Sequence, residues 1–113
     1  MSDDCLFCRI ARGDVPVSFV AENALAVAFR DIHPQAPVHV LVIPRAHVES
    51  VLEATDPALM NAVMQLAIEV ARAEGVAGSG FRLVLNTGAD GGQSVSHLHA
   101  HVLGGRSMHW PPG

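Results

Sequence analysis

Hydrophobic and polar positions change period several times along the chain, and each change marks an element. Residues 17–21 and 25–29 read as two strands joined by Glu22-Asn23, a pair suited to a hairpin turn. A loop stiffened by Pro34 and Pro37 leads into a β-branched run over 38–43 that Pro44 stops. From 57 to 74 the period is helical, with Asp56 placed to cap, Pro57 in the first turn and Gly75 just past the end. Leu59, Val63, Leu66 and Val70 make one apolar line on it and Met60, Met64, Ala67 and Ala71 the next. That stripe is wide enough to cover a sheet and meet a second surface, read as a dimer contact; the alternative is that Met60 and Met64 fill the chain's own core. Residues 81–86 and 98–103 complete five strands, separated by the glycine-rich stretch 87–93. Close pairs of strands that outnumber the helices predict an α+β fold, an antiparallel sheet with the long helix packed on one face. Gly13 and Pro16 close a short N-terminal segment.

Composition narrows the picture. A chain of 113 residues without repeats or linkers fits a single domain over 1–113. Half of it is hydrophobic, yet no apolar run reaches the roughly 18–20 residues of a membrane span, so a soluble protein is expected. The opening residues carry Asp3 and Asp4 and lack the basic start and apolar stretch of a secretory signal, which points to the cytoplasm. A net charge of −4, with seven scattered arginines as the only basic residues, argues against nucleic acid as a partner. Cys5 and Cys8 form a C-x-x-C pair, a metal half-site or a redox pair in a reducing compartment. Two thiols cannot close a tetrahedral zinc site, so histidines must supply the rest.

The strongest chemical signal is His97-Leu98-His99-Ala100-His101-Val102-Leu103, where histidine and apolar residues alternate. On a strand the three imidazoles project from one face at about 6.5–7 Å spacing, while Leu98, Ala100 and Val102 enter the core. Three readings compete: a solvated surface, a three-histidine zinc site, and phosphoryl chemistry in which one imidazole attacks phosphorus. The upstream segment 86–94 favours the last, because Gly91 and Gly92 let backbone N–H groups approach an anion and Gln93 and Ser94 add side-chain donors.

With these motifs in place, the sequence resembles the histidine-triad superfamily, and within it the Hint branch of nucleotide-binding phosphoramidases. The likeness runs from the Phe7 region through Asp31-Ile32-His33-Pro34-Gln35-Ala36-Pro37, Val42-Ile43-Pro44, Asn86, Gly91-Gly92-Gln93-Ser94-Val95 and the triad to His109-Trp110-Pro111-Pro112-Gly113. It implies a five-stranded antiparallel sheet with one long helix and a short N-terminal helix, continued across a homodimer. The implied reaction is hydrolysis of nucleoside 5'-monophosphate derivatives, such as adenosine 5'-monophosphoramidate and acyl-adenylates, through a nucleotidyl-histidine intermediate and without a catalytic cofactor. By the same resemblance His99 is the nucleophile, His101 contacts the phosphate, His97 holds the geometry from behind and Ser94 gives a proton to the leaving group. Gln93 and the Gly92 backbone place the phosphate, Asp31 binds the ribose, Asn86 touches sugar or phosphate, and Ile32 with Phe7 and Phe29 makes the slot for the base. A third histidine at 101, where the superfamily's nucleotidyltransferases carry glutamine, implies hydrolysis, and His109-Trp110 implies the Hint branch over the dinucleoside polyphosphate hydrolases. Zinc-binding members of the superfamily imply a structural zinc on Cys5, Cys8, His47 and His97. His33, His39 and His109 receive no role, and a nucleotide-sensing scaffold with incidental turnover stands as the rival class.

Overall fold

The computed structural model describes residues 4–113; Asp3, part of the acidic opening, lies outside them. The elements run α1 (Leu6–Ala11), β1 (Ala21–Glu22), β2 (Ala26–Arg30), β3 (Val38–Pro44), a single 3-10 turn (Val51–Glu53), α2 (Pro57–Ala73), β4 (Phe81–Val84) and β5 (Ala100–Gly104). The five strands form one sheet in the order β1-β2-β3-β5-β4, and every neighbouring pair is antiparallel. Among the described residues no helix is long and apolar enough to cross a membrane.

The sheet is covered on both faces at its centre, which is why β2 and β3 read as continuous apolar runs. Ala26 and Ala28 of β2 join Val40, Val42, Ala100 and Val102 under α2, which presents Val63, Leu66, Ala67, Val70 and Ala71. The alternate residues Val27 and Phe29, with Leu41 and Ile43, pack on the other face against Phe7, Ile10 and Ala11 of α1. The two-residue period of a strand thus feeds two separate cores. Ala67 and Ala71 belong to the chain's own core, whereas Met60 and Met64 stay half-buried, outside both clusters.

The helix ends follow the sequence signals: Asp56 caps α2 by accepting from the Ala58 N–H at 3.0 Å, and Gly75 takes the left-handed conformation (φ +77°) just beyond it. Two strands are shorter than expected. In place of 17–21 the ladder is confined to Ala21–Glu22, with the Val20 N–H donating to the Ala28 carbonyl and the Val17 N–H turned back onto the Val15 carbonyl; the turn falls at Asn23, whose side chain accepts from the Leu25 and Ala26 N–H groups. In place of 98–103 the ladder begins at Ala100, opposite Val42. The next partners would reach Pro44, which has no N–H to give, and the Leu98 N–H goes to the Val48 carbonyl instead.

Candidate active site

The shift in β5 decides where the triad lies. His99 is the residue before the strand, His101 is its second residue, and His97 sits in the bend leading in. All three rings are on the α1 side, as the alternation requires, and Leu98, Ala100 and Val102 are buried. The three rings do not share one site, however. His99 and His101, with centroids 5.0 Å apart, line a cavity of about 250 Å³, whereas His97 is fully buried beside the two cysteines. This separation removes the three-histidine zinc site from consideration.

Backbone and side-chain partners fix both cavity imidazoles. His99 Nδ1 lies 2.7 Å from the His97 carbonyl oxygen, an acceptor, so Nδ1 carries the proton and Nε2 keeps its lone pair. His101 is set by a relay that begins in the loop before β3 and passes through His39 of that strand. The Gln35 N–H donates to His39 Nδ1 at 3.0 Å, leaving His39 Nε2 as the protonated nitrogen, and that N–H donates to His101 Nδ1 at 2.9 Å. His101 Nε2 therefore bears the second ring's proton, and it is buried without a partner. Asp31 Oδ2 stands 3.4 Å from His39 Nε2, while Oδ1 accepts from the His33 N–H at 2.8 Å. Burial pushes the His101 imidazole down to about 4, the adjacent His99 and His39 rings push in the same direction, and Asp31 opposes them. His39 is lowered by burial as well, again against Asp31.

The remaining lining is mostly apolar. Phe7, Phe29, Ile10, Val17 and Leu41 form the floor, Ile32 overhangs it at 86% exposure, and Asp31 and Ser94 stand at its polar end. Asn86, Gly92 and Gln93 do not line it. Gln93 instead knots the loop: its Oε1 accepts from the Gly88 N–H at 3.0 Å, and its Nε2 donates to the carbonyls of Glu49 (2.6 Å) and Val95 (2.9 Å). The Gly92 N–H is taken by the Ala89 carbonyl and the Gln93 N–H by the Gly88 carbonyl, each at 3.1 Å, and it is Ser94 and Val95 of this loop that reach the cavity. His39, Leu6, Ile10 and Val95 were missed by the sequence reading. A lone histidine in the apolar run 38–43 was the available signal for His39.

Cys5, Cys8, His47 and His97 form a second constellation, with one donor atom from each and all four within 4.8 Å of one another. His97 Nε2 donates to the Pro44 carbonyl at 2.9 Å, which leaves Nδ1 unprotonated toward the sulfurs of Cys5 (3.3 Å) and Cys8 (3.4 Å); His47 Nδ1 lies 3.2 Å from the Cys8 sulfur. Tetrahedral zinc with its usual bond lengths sets neighbouring sulfur and nitrogen ligands about 3.5 Å apart, so this donor set fits the metal with small adjustment. Burial and the neighbouring Cys5 sulfur raise the metal-free Cys8 thiol to about 11.

Fold and histidine pattern together define a histidine-triad protein. The HIT domain family matches residues 12–108, and the chain belongs to it. It is 49% identical, over the full length of both chains, to an uncharacterized HIT-like protein of Synechococcus elongatus. Among solved structures it is similar to a HIT family hydrolase from Legionella pneumophila, at 46% identity and a TM-score of 0.93 over 97% of this chain and 100% of that one. A Zn-bound histidine triad family protein from Mycobacterium smegmatis superposes with a TM-score of 0.82 at 30% identity, over 94% of this chain and 78% of that one.

Proposed function

We propose that this chain is a homodimeric hydrolase of nucleoside 5'-monophosphate derivatives, chiefly phosphoramidates and acyl-adenylates, in which His99 attacks phosphorus. The observation that carries the reading is the bond from His99 Nδ1 to the His97 carbonyl, which leaves a neutral ring with its second nitrogen as nucleophile. The base lies in the apolar slot between Phe7, Phe29 and Ile32, and Asp31 meets the ribose hydroxyls. His99 Nε2 bonds to phosphorus as the bond to the leaving nitrogen or carboxylate breaks, with Ser94 directing a proton to the leaving amine. The unpartnered N–H of His101 donates to a phosphoryl oxygen as charge grows there. Water then cleaves the phosphorus–imidazole bond and regenerates His99. Gln93 holds the loop that carries Ser94. Zinc, when bound by Cys5, Cys8, His47 and His97, has four protein ligands and no open position, so it supplies structural cross-linking and no chemistry.

Turnover of adenosine 5'-monophosphoramidate tests the assignment. The expected loss on His99→Ala is about 10³-fold or more in kcat, with circular dichroism unchanged. Rapid quench of the wild-type enzyme should trap a nucleotide on His99, located by peptide mass spectrometry. Full turnover by His99→Ala, or a nucleotide trapped on another residue, sinks the reading.

A further inference from the structure

The sulfur–imidazole cluster and the cavity share a wall. Cys5 caps α1 and Cys8 sits in its first turn, while Leu6, Phe7 and Ile10 of the same helix line the cavity. Phe7 stands edge-on to His99, with centroids 5.2 Å apart, and to His97 at 5.9 Å. A second tie runs through one residue: the His97 ring faces the two sulfurs and its carbonyl holds His99 Nδ1. A six-residue helix does not persist unaided, so α1 depends on its buried face and on this cluster for its position. Cys5 is half-buried and opens onto a surface cleft with Asp4, His47 and Ser96, whereas Cys8 is 4% exposed behind it.

We infer that Cys5 and Cys8 form a reversible oxidation site: a hydroperoxide converts them to an intrachain disulfide, which expels the metal, loosens the α1 wall and weakens nucleotide binding. The last step rests on the nucleotide reading given above. The Cys5 thiolate, the accessible one, attacks the peroxide oxygen; the O–O bond breaks, giving a Cys5 sulfenic acid and hydroxide. Cys8 sulfur then attacks the sulfenic sulfur, the S–O bond breaks, and water leaves. In sum, two thiolates, one hydrogen peroxide and two protons give one disulfide and two waters, with two electrons passing from sulfur to peroxide. Disulfide sulfurs no longer serve as thiolate ligands, so the metal is released. The sulfurs must close from non-bonded separation to about 2.05 Å. That movement draws them from His47 and His97 and carries the first turn of α1 with them.

The test treats the full-length, zinc-loaded protein with hydrogen peroxide, then with thiol reductant and zinc. Expected are a two-hydrogen loss in intact mass, one zinc per chain captured by a chromogenic chelator, and faster amide exchange over residues 5–12. AMP affinity by calorimetry should weaken about tenfold, the scale of losing one aromatic wall. All four changes should reverse on reduction with zinc. Cys5→Ser and Cys8→Ser, each with a single thiol, should show neither the mass loss nor a peroxide-dependent change in exchange. An unchanged mass and zinc content, a disulfide with unchanged exchange over 5–12, or a disulfide with unchanged AMP affinity overturns the inference. If the reduced, zinc-loaded protein binds no AMP, the nucleotide reading fails instead, and mass, zinc and exchange still decide the oxidation site.

Discussion

At the scale of single residues the site is governed by which ring nitrogen holds a proton. The relay from the Gln35 N–H through His39 to His101 places a donor where no protein group receives it. His39→Leu keeps the bulk and removes the donor, which frees the His101 tautomer. The expected cost is ten- to hundredfold in kcat, about 1–3 kcal/mol for a lost buried hydrogen bond, with KM changed less. Nitrogen-15 shifts of the His101 ring should report the mixed tautomer, and an unchanged spectrum would refute the relay. Acid stability follows from the same burial. His101 is held at about 4 in the folded chain against about 6.5 unfolded, so between those values the unfolded chain binds more protons. Stability is therefore present above about pH 6.5 and is lost as pH falls toward 4, by about 2 kcal/mol once solvent screening of this partly buried ring is allowed for. Urea denaturation at pH 7 and 4.5 measures it, and His101→Gln should reduce the dependence, leaving the part carried by His39 and His97, whose imidazoles burial also lowers. The sequence made His99, His101, Asp31, Ile32, Ser94, Phe7 and Phe29 legible because each sits in an ordered motif. It hid His39, because a histidine in an apolar run looks the same whether it packs or relays.

Elements were legible where local chemistry decides them and less so where partners do. Asp56, Pro57 and Gly75 delimit α2 by their own preferences, and its start falls where they place it. The start of β5 depends on Pro44 of another strand, so no local signal in 98–103 marks it. The same holds for loop 87–95, whose glycines announce a turn without saying which N–H groups it uses internally. Gly91 shows the constraint: a Cβ there would collide with the Thr87 backbone carbonyl and stand 2.9 Å from the Thr87 nitrogen, both rigid atoms. Gly91→Ala should destabilise by about 1–3 kcal/mol through overpacking and displace Ser94, lowering kcat/KM more than a surface change would. Thermal denaturation and phosphoramidate turnover read the two effects; wild-type values in both would show that the loop tolerates the side chain.

For the whole molecule, the open question of the sheet is its edge. Among the described residues β4 pairs with β5 alone, its four residues are half-buried, and an edge of this kind offers backbone groups that isolated proteins seldom leave open. Separately, α2, which packs over β1, β2, β3 and β5, holds Met60 and Met64 half-buried and outside the chain's own cores, so the wide apolar stripe has a remainder that the cores do not use. The C-terminal segment runs along the same edge, with Arg82 donating to the His109 carbonyl at 2.8 Å and Trp110 left 84% exposed. An open edge strand, a pair of half-buried methionines and an exposed tryptophan suit a two-fold contact in which β4 meets its copy. Sedimentation equilibrium should give a dimer for the wild type and a monomer for Met64→Glu, whose circular dichroism stays native because the side chain lies outside the core. A wild-type chain that sediments as a monomer would leave the methionine patch without this role.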